Sequence, residues 1–172
     1  DHLDAIYRKA DDWEAALQIL EQRLSALDKI DSSGNLTIRS DLHQQAGEIW
    51  EKVYQDAEKA VSHYRKAIEL DNTNTLALYS ARQLLYAKGD FSNAVKFCEM
   101  EALAERDGDR CVALYRELAT LLFDQMSNPS RAIAALKRAL KLAPNHADIQ
   151  IELAKMISFV SLTPSSAKDH KW

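Results

Sequence analysis

Apolar residues recur along the chain at spacings of three and four, the period of helices with one buried face. The pattern runs through Leu3, Ile6, Tyr7, then Ala16, Leu17, Ile19, Leu20, Leu24, Leu27, then Leu42, Ala46, Ile49, Trp50, Val53. It returns in Ala60, Val61, Tyr64, Ala67, Ile68. Alternation at period two is nowhere sustained, so strands are not expected. Polar breaks separate the helical stretches at Asp11-Asp12, Asp31-Ser32-Ser33-Gly34, Asp71 to Asn74 and Gly89-Asp90. Further breaks fall at Asp107-Gly108-Asp109, Ser127-Asn128-Pro129 and Ala143-Pro144-Asn145. Several hold Asp, Ser or Asn, whose side chains accept hydrogen bonds from the free amides of a first helical turn. The spacing predicts nine helices, over residues 2–10, 12–28, 37–54, 56–70, 75–88, 91–106, 109–126, 129–142 and 146–160. Residues 161–172, which include Thr163-Pro164-Ser165-Ser166, break the periodicity and read as a tail or linker.

Taken in pairs, the helices repeat. The second helix of each pair aligns on Ala16, Ala60, Ala94 and Ala132, at intervals of 44, 34 and 38 residues. The strongest internal match is at 72 residues, where 60–74 lies over 132–146 and pairs Ala67 with Ala139 and Leu70 with Leu142. Small residues let neighbouring helices approach closely, and large ones fill the space between them. A lone hairpin leaves an apolar face uncovered, so stacking of hairpins completes the core.

These positions resemble the tetratricopeptide repeat family. Its second-helix alanine corresponds to Ala16, Ala60, Ala94 and Ala132, and its bulky position to Leu20, Tyr64, Cys98 and Leu136. Its second alanine is present as Ala67 and Ala139 but is replaced by Arg23 and Glu101. Gly47 and Ala119 stand where the family has a small first-helix residue, with Trp50 and Leu122 one turn later. The resemblance implies an all-α, right-handed α-solenoid of stacked antiparallel helical hairpins. Its array would cover residues 1–160, in units 1–28, 37–70, 75–106 and 109–142 with an extra helix at 146–160. Units one and three share one second-helix style, and units two and four the other.

Composition narrows the function. Four glycines and three prolines in 172 residues are too few for a β-sandwich built on many tight turns. Lys and Arg number 22 against 26 Asp and Glu, a net charge of −4, so no nucleic-acid footprint is expected. Apolar runs stop at four or five residues, far short of the roughly 18 of a membrane span. Cys98 and Cys111 show no disulfide or metal spacing and read as small buried thiols, which favours a reducing, cytoplasmic compartment. With no initiator Met before Asp1, the chain reads as part of a longer one. No phosphate loop, HExxH or GxSxG is present. The five histidines never fall at i, i+4, and the pairs Glu48–Glu51 and Glu101–Glu105 read as solvated helix surface. No catalytic residue, metal or cofactor is therefore expected.

What remains is a surface. The family resemblance implies that first helices line a concave groove that receives peptides. Its groove positions correspond to Gln44, Glu48 and Glu51, to Tyr79, Gln83 and Tyr86, and to Arg116, Thr120 and Phe123. Tyr79, Gln83 and Tyr86 fall at i, i+4, i+7, on one helix face. For Tyr79, Tyr86 and Phe123 the alternative is packing between hairpins. One branch of the family grips acidic chaperone C-termini with lysine and asparagine, but the matching positions Gln44, Gln45, Glu48, Leu76 and Ser80 hold no cation. The expected function is a non-catalytic protein-interaction scaffold with a protein or peptide partner. The alternatives are self-association through exposed repeat ends, or a regulatory part of a larger enzyme.

Overall fold

The computed structural model describes residues 12–29 and 35–162. Among these residues there are eight α-helices and no strands. They are α1 (Trp13–Lys29), α2 (Leu36–Lys52), α3 (Ala57–Leu70), α4 (Thr75–Ala87), α5 (Phe91–Ala104), α6 (Gly108–Thr120), α7 (Pro129–Leu142) and α8 (Ala147–Leu162). The predicted helix 2–10, and positions 163–172 of the predicted tail, lie outside the described residues. No described helix is long and apolar enough to cross a membrane.

The helices begin where the polar breaks put a capping side chain. Asp56 accepts from the amides of Glu58 and Lys59, Asn74 from Ala77, Asp107 from Arg110, and Asn128 from Arg131. Pro129 follows Asn128 in the first turn of α7, where its missing N–H costs nothing. Most helix ends shift by one or two residues from the sequence reading, and two changes alter an element itself. The predicted helix 109–126 is α6 followed by one π-helical stretch, Leu121–Gln125. And α8 runs through Ser161 and Leu162, with the Ser161 hydroxyl donating to the Ile157 carbonyl, so these two residues are helix rather than tail.

The chain divides into two compact units at Ala104/Glu105. In the first, α2 pairs with α3 and α4 with α5, while α1 packs on α2 and α3 on α4. One core joins Ala16, Leu17, Leu20 and Leu24 of α1 to Leu42, Ala46 and Ile49 of α2. A second joins Ala60, Tyr64, Ala67 and Ile68 of α3 to Ala77, Leu78 and Ala81 of α4. In the second unit α6 pairs with α7, and α8 packs on α7. All four aligned alanines are fully buried, as are Leu20, Tyr64, Cys98 and Leu136.

Close approach is most acute at Gly47. A Cβ there would stand 2.7 Å from the Tyr64 ring, so the small residue on α2 is what lets that ring lie against the helix. The 72-residue repeat extends to the turns. After α2, Gln55 takes φ 53°, and the amides of Tyr54 and Asp56 bond the carbonyls of Ile49 and Trp50. After the π stretch, Ser127 takes φ 47°, and the amides of Met126 and Asn128 bond the carbonyls of Leu121 and Leu122. The α4–α5 turn is built differently, with Gly89 at φ 77°.

Two positions correct the sequence reading. Glu101, expected on a solvated face, is completely buried and pairs with buried Arg82 at 2.9 Å. It stands where the family places a small residue, and a carboxylate survives there only because a guanidinium meets it. Cys111 is half-buried rather than buried, its thiol donating to the Glu105 carbonyl, and burial raises its pKa.

Candidate functional site

The sequence-predicted surface residues fall in both units, and each unit presents its own set. On α2 in the first unit, Gln44 is only 8% exposed and offers almost no surface. Glu48 is half-buried and pairs with Lys52 at 3.6 Å. Glu51, also half-buried, accepts a 2.6 Å hydrogen bond from the Tyr64 hydroxyl. The Tyr64 ring packs in one core with Ala77, Leu78 and Ala81, so Tyr64 ties the C-terminal part of α2 to α4. Burial, then the Glu51 bond, raise the Tyr64 pKa, so the phenol stays protonated and donates.

The α4 helix carries an apolar row. Leu76, Tyr79 and Tyr86 are 59%, 44% and 46% exposed, while Ala77, Leu78, Ala81 and Leu85 on the other side are buried. Gln83 lies between the tyrosines and is half-buried. Tyr86 meets Phe91 edge-on, with ring centres 5.5 Å apart. The guanidinium of Arg82 sits 5.4 Å from the centre of the Tyr79 ring. The pair Arg82–Glu101 thus supports an exposed aromatic from below, a role that sequence reasoning missed. The signal was present in Glu101 standing at an alanine position.

In the second unit, α8 engages two of the three predicted residues. Both Glu152 carboxylate oxygens accept from Arg116, the Nε bond at 3.2 Å, and this raises the Arg116 pKa. The Phe123 ring packs edge-on against Phe159 at 5.2 Å. Thr120 is exposed, and its hydroxyl bonds the Arg116 carbonyl of its own helix.

One constellation was not foreseen. His43 of α2 and His63 of α3 bring their Nδ1 atoms to 3.1 Å, with ring centres 5.3 Å apart. The centres are farther apart than the nitrogens by nearly both ring radii, so the rings meet end to end. That is the geometry of one N–H donating to the other nitrogen, not of two ligands converging on an ion. Burial, then Lys66, lower the His63 pKa. No three of His, Cys, Asp and Glu among the described residues come together as a metal-binding group.

Profiles of the tetratricopeptide repeat match residues 1–33, 55–74 and 113–146, together about half of the chain. The chain belongs to the tetratricopeptide repeat family. Its fold class is an all-α helical-repeat solenoid. The third repeat, α4–α5, falls between the matched segments, and it is the repeat that holds Glu101 at the second-alanine position, paired with Arg82. A TPR repeat-containing protein of Methanocaldococcus jannaschii is 32% identical over 96 residues, 52% of this chain and 17% of its own length. A probable biofilm formation methyltransferase of Pseudomonas putida is 42% identical over 55 residues, 32% of this chain and 13% of its own. The chain thus spans less than a fifth of these relatives. Among solved structures, the N-terminal domain of stress-induced protein-1 from C. elegans superposes with TM-score 0.57 at 22% identity, over 70% of this chain and 96% of that one. The first TPR of Spaghetti, bound to an HSP90 peptide, gives TM-score 0.51 at 17% identity, over 73% and 95%.

Proposed function

We propose that this repeat array is a non-catalytic protein-interaction module that holds a peptide segment on its first-helix faces. The observation that carries the reading is the row Leu76, Tyr79 and Tyr86, three large side chains left open on a helix whose other side is buried. Tyrosine offers apolar area with few torsions to freeze, and so suits a binding anchor. The peptide bound to the Spaghetti repeat gives the same use of the fold in a structural neighbour. On this reading Glu48, Glu51, Tyr79, Gln83 and Tyr86 form the contact face of the first unit. In the second unit Thr120 is open, whereas a ligand at Arg116 or Phe123 has to compete with α8; Gln44 serves as a supporting residue. The test is to select peptides from a displayed random library on the wild-type chain, then measure them against Tyr79→Ala/Tyr86→Ala. Loss of at least about tenfold in affinity with the helical spectrum intact is expected. Peptides that bind the double variant equally well would remove the site from α4.

A second reading, self-association, is favoured by α8, whose Ile151, Ile157, Phe159, Val160 and Leu162 are all exposed. Large apolar side chains left in water at this density favour an interaction site. Light scattering over a concentration series separates the two readings.

A further inference from the structure

We infer that the α2–α4 face of the first unit selects a cationic segment, one that sets a Lys or Arg against Glu51 beside an apolar side chain on the tyrosine row. This rests on the peptide-binding reading above and names the class of partner for that face.

Tyr64 sets the geometry of this face. Its ring is wholly buried against Gly47 and shares a core with Ala77, Leu78 and Ala81 of α4, and its hydroxyl donates to Glu51 at 2.6 Å. Glu51 is therefore already placed beside the helix that carries Tyr79 and Tyr86. A carboxylate has about four acceptor positions, so one bond from a neutral phenol leaves it both charged and able to accept more. A side chain already ordered loses little further freedom on binding, and partial burial lets its charge act with less screening.

The neighbouring charges have the same sign. Glu48 lies one turn before Glu51, and Asp41 is exposed on the face that continues through Glu48. Lys52 pairs with Glu48 at 3.6 Å but is two-thirds exposed, so it neutralises that carboxylate only in part. Arg82, on the helix that carries the row, is buried and paired with Glu101, and Lys88 just past the end of that helix faces Glu58 at 3.5 Å. An incoming carboxylate meets repulsion here. An ammonium or guanidinium finds an acceptor in place, with aromatic surface for the adjoining apolar residue.

The experiment uses equal-length labelled peptides that keep one aromatic and one aliphatic anchor and carry Lys, Gln or Glu between them. Binding is followed by amide chemical-shift changes on the whole chain, which report even millimolar affinity, and by anisotropy where binding is tighter. The Lys peptide should bind about fivefold more tightly than the Gln peptide, and the Glu peptide more weakly than either. Glu51→Gln should erase the preference for Lys over Gln. Tyr64→Phe, which keeps the ring and removes the hydroxyl that positions Glu51, should reduce the preference in part. Equal binding of the three peptides on α4, or a preference that survives Glu51→Gln, overturns the inference while the peptide-binding reading stands. No shift changes on α4 with any peptide would overturn both.

Discussion

At the scale of single residues, the buried alanines, Gly47 and the Arg82–Glu101 pair decide whether helices can meet. Ala132 is fully buried, so Ala132→Leu has to push α7 from its neighbours and should cost about 1–3 kcal/mol, measured as a fall in the denaturant midpoint. Glu101→Ala strands the Arg82 charge in the interior, and the expected loss is about 3–5 kcal/mol. Arg82→Ala/Glu101→Ala removes both charges together and sets at 101 the small residue that Ala67 and Ala139 supply in other repeats, and it should recover a good part of that loss. An equal loss in single and double variants would mean that packing volume, not the unpaired charge, governs the site. The histidine pair sets a pH dependence. The bond between His43 and His63 needs one bare nitrogen, and His63 binds a proton less readily folded than unfolded. A lowered folded pKa means that the unfolded chain takes up more protons as pH falls through 6.5, so stability drops from that pH downward. Thermal midpoints between pH 7.5 and 5.5 should decline in the wild type and decline less in His63→Gln.

At the scale of elements, helix limits follow local chemistry. Asn128 caps α7 and Pro129 opens it, and Asn128→Ala should cost about 0.5–2 kcal/mol by the same denaturation assay. Ser127 takes a left-handed φ that glycine adopts without strain, so Ser127→Gly should be neutral or stabilising by about 1 kcal/mol. A clear destabilisation would mean that the Ser127 side chain holds the turn. Helices α2 to α5 and α7 were legible to within two residues because cap residues and polar breaks act over a few neighbours. The π stretch after α6 was not legible. It widens one turn so that Met126 and Asn128 bond back to Leu121 and Leu122, and no local composition announces it.

At the scale of the whole molecule, the distribution of exposed apolar surface decides which faces are available for partners. If α8 associates with a second copy, Ile157→Lys should abolish any concentration-dependent mass in light scattering; an unchanged profile would leave α8 out of the contact. Periodicity by itself determined the helices and the alignment of the alanines, because burying one face of every helix writes a spacing into the chain, and the residue types at the aligned positions carried the family resemblance. The sequence also pointed to Tyr79 and Tyr86, since i, i+7 places them on one face. Only the tertiary structure decided that Gln44 is covered, that Glu152 and Phe159 occupy Arg116 and Phe123, and that Glu101 has Arg82 for a partner. Charge and polarity read one position at a time say what a side chain can do. Whether it meets water, an opposite charge or another helix depends on residues 19 to 36 positions away, brought together only by packing.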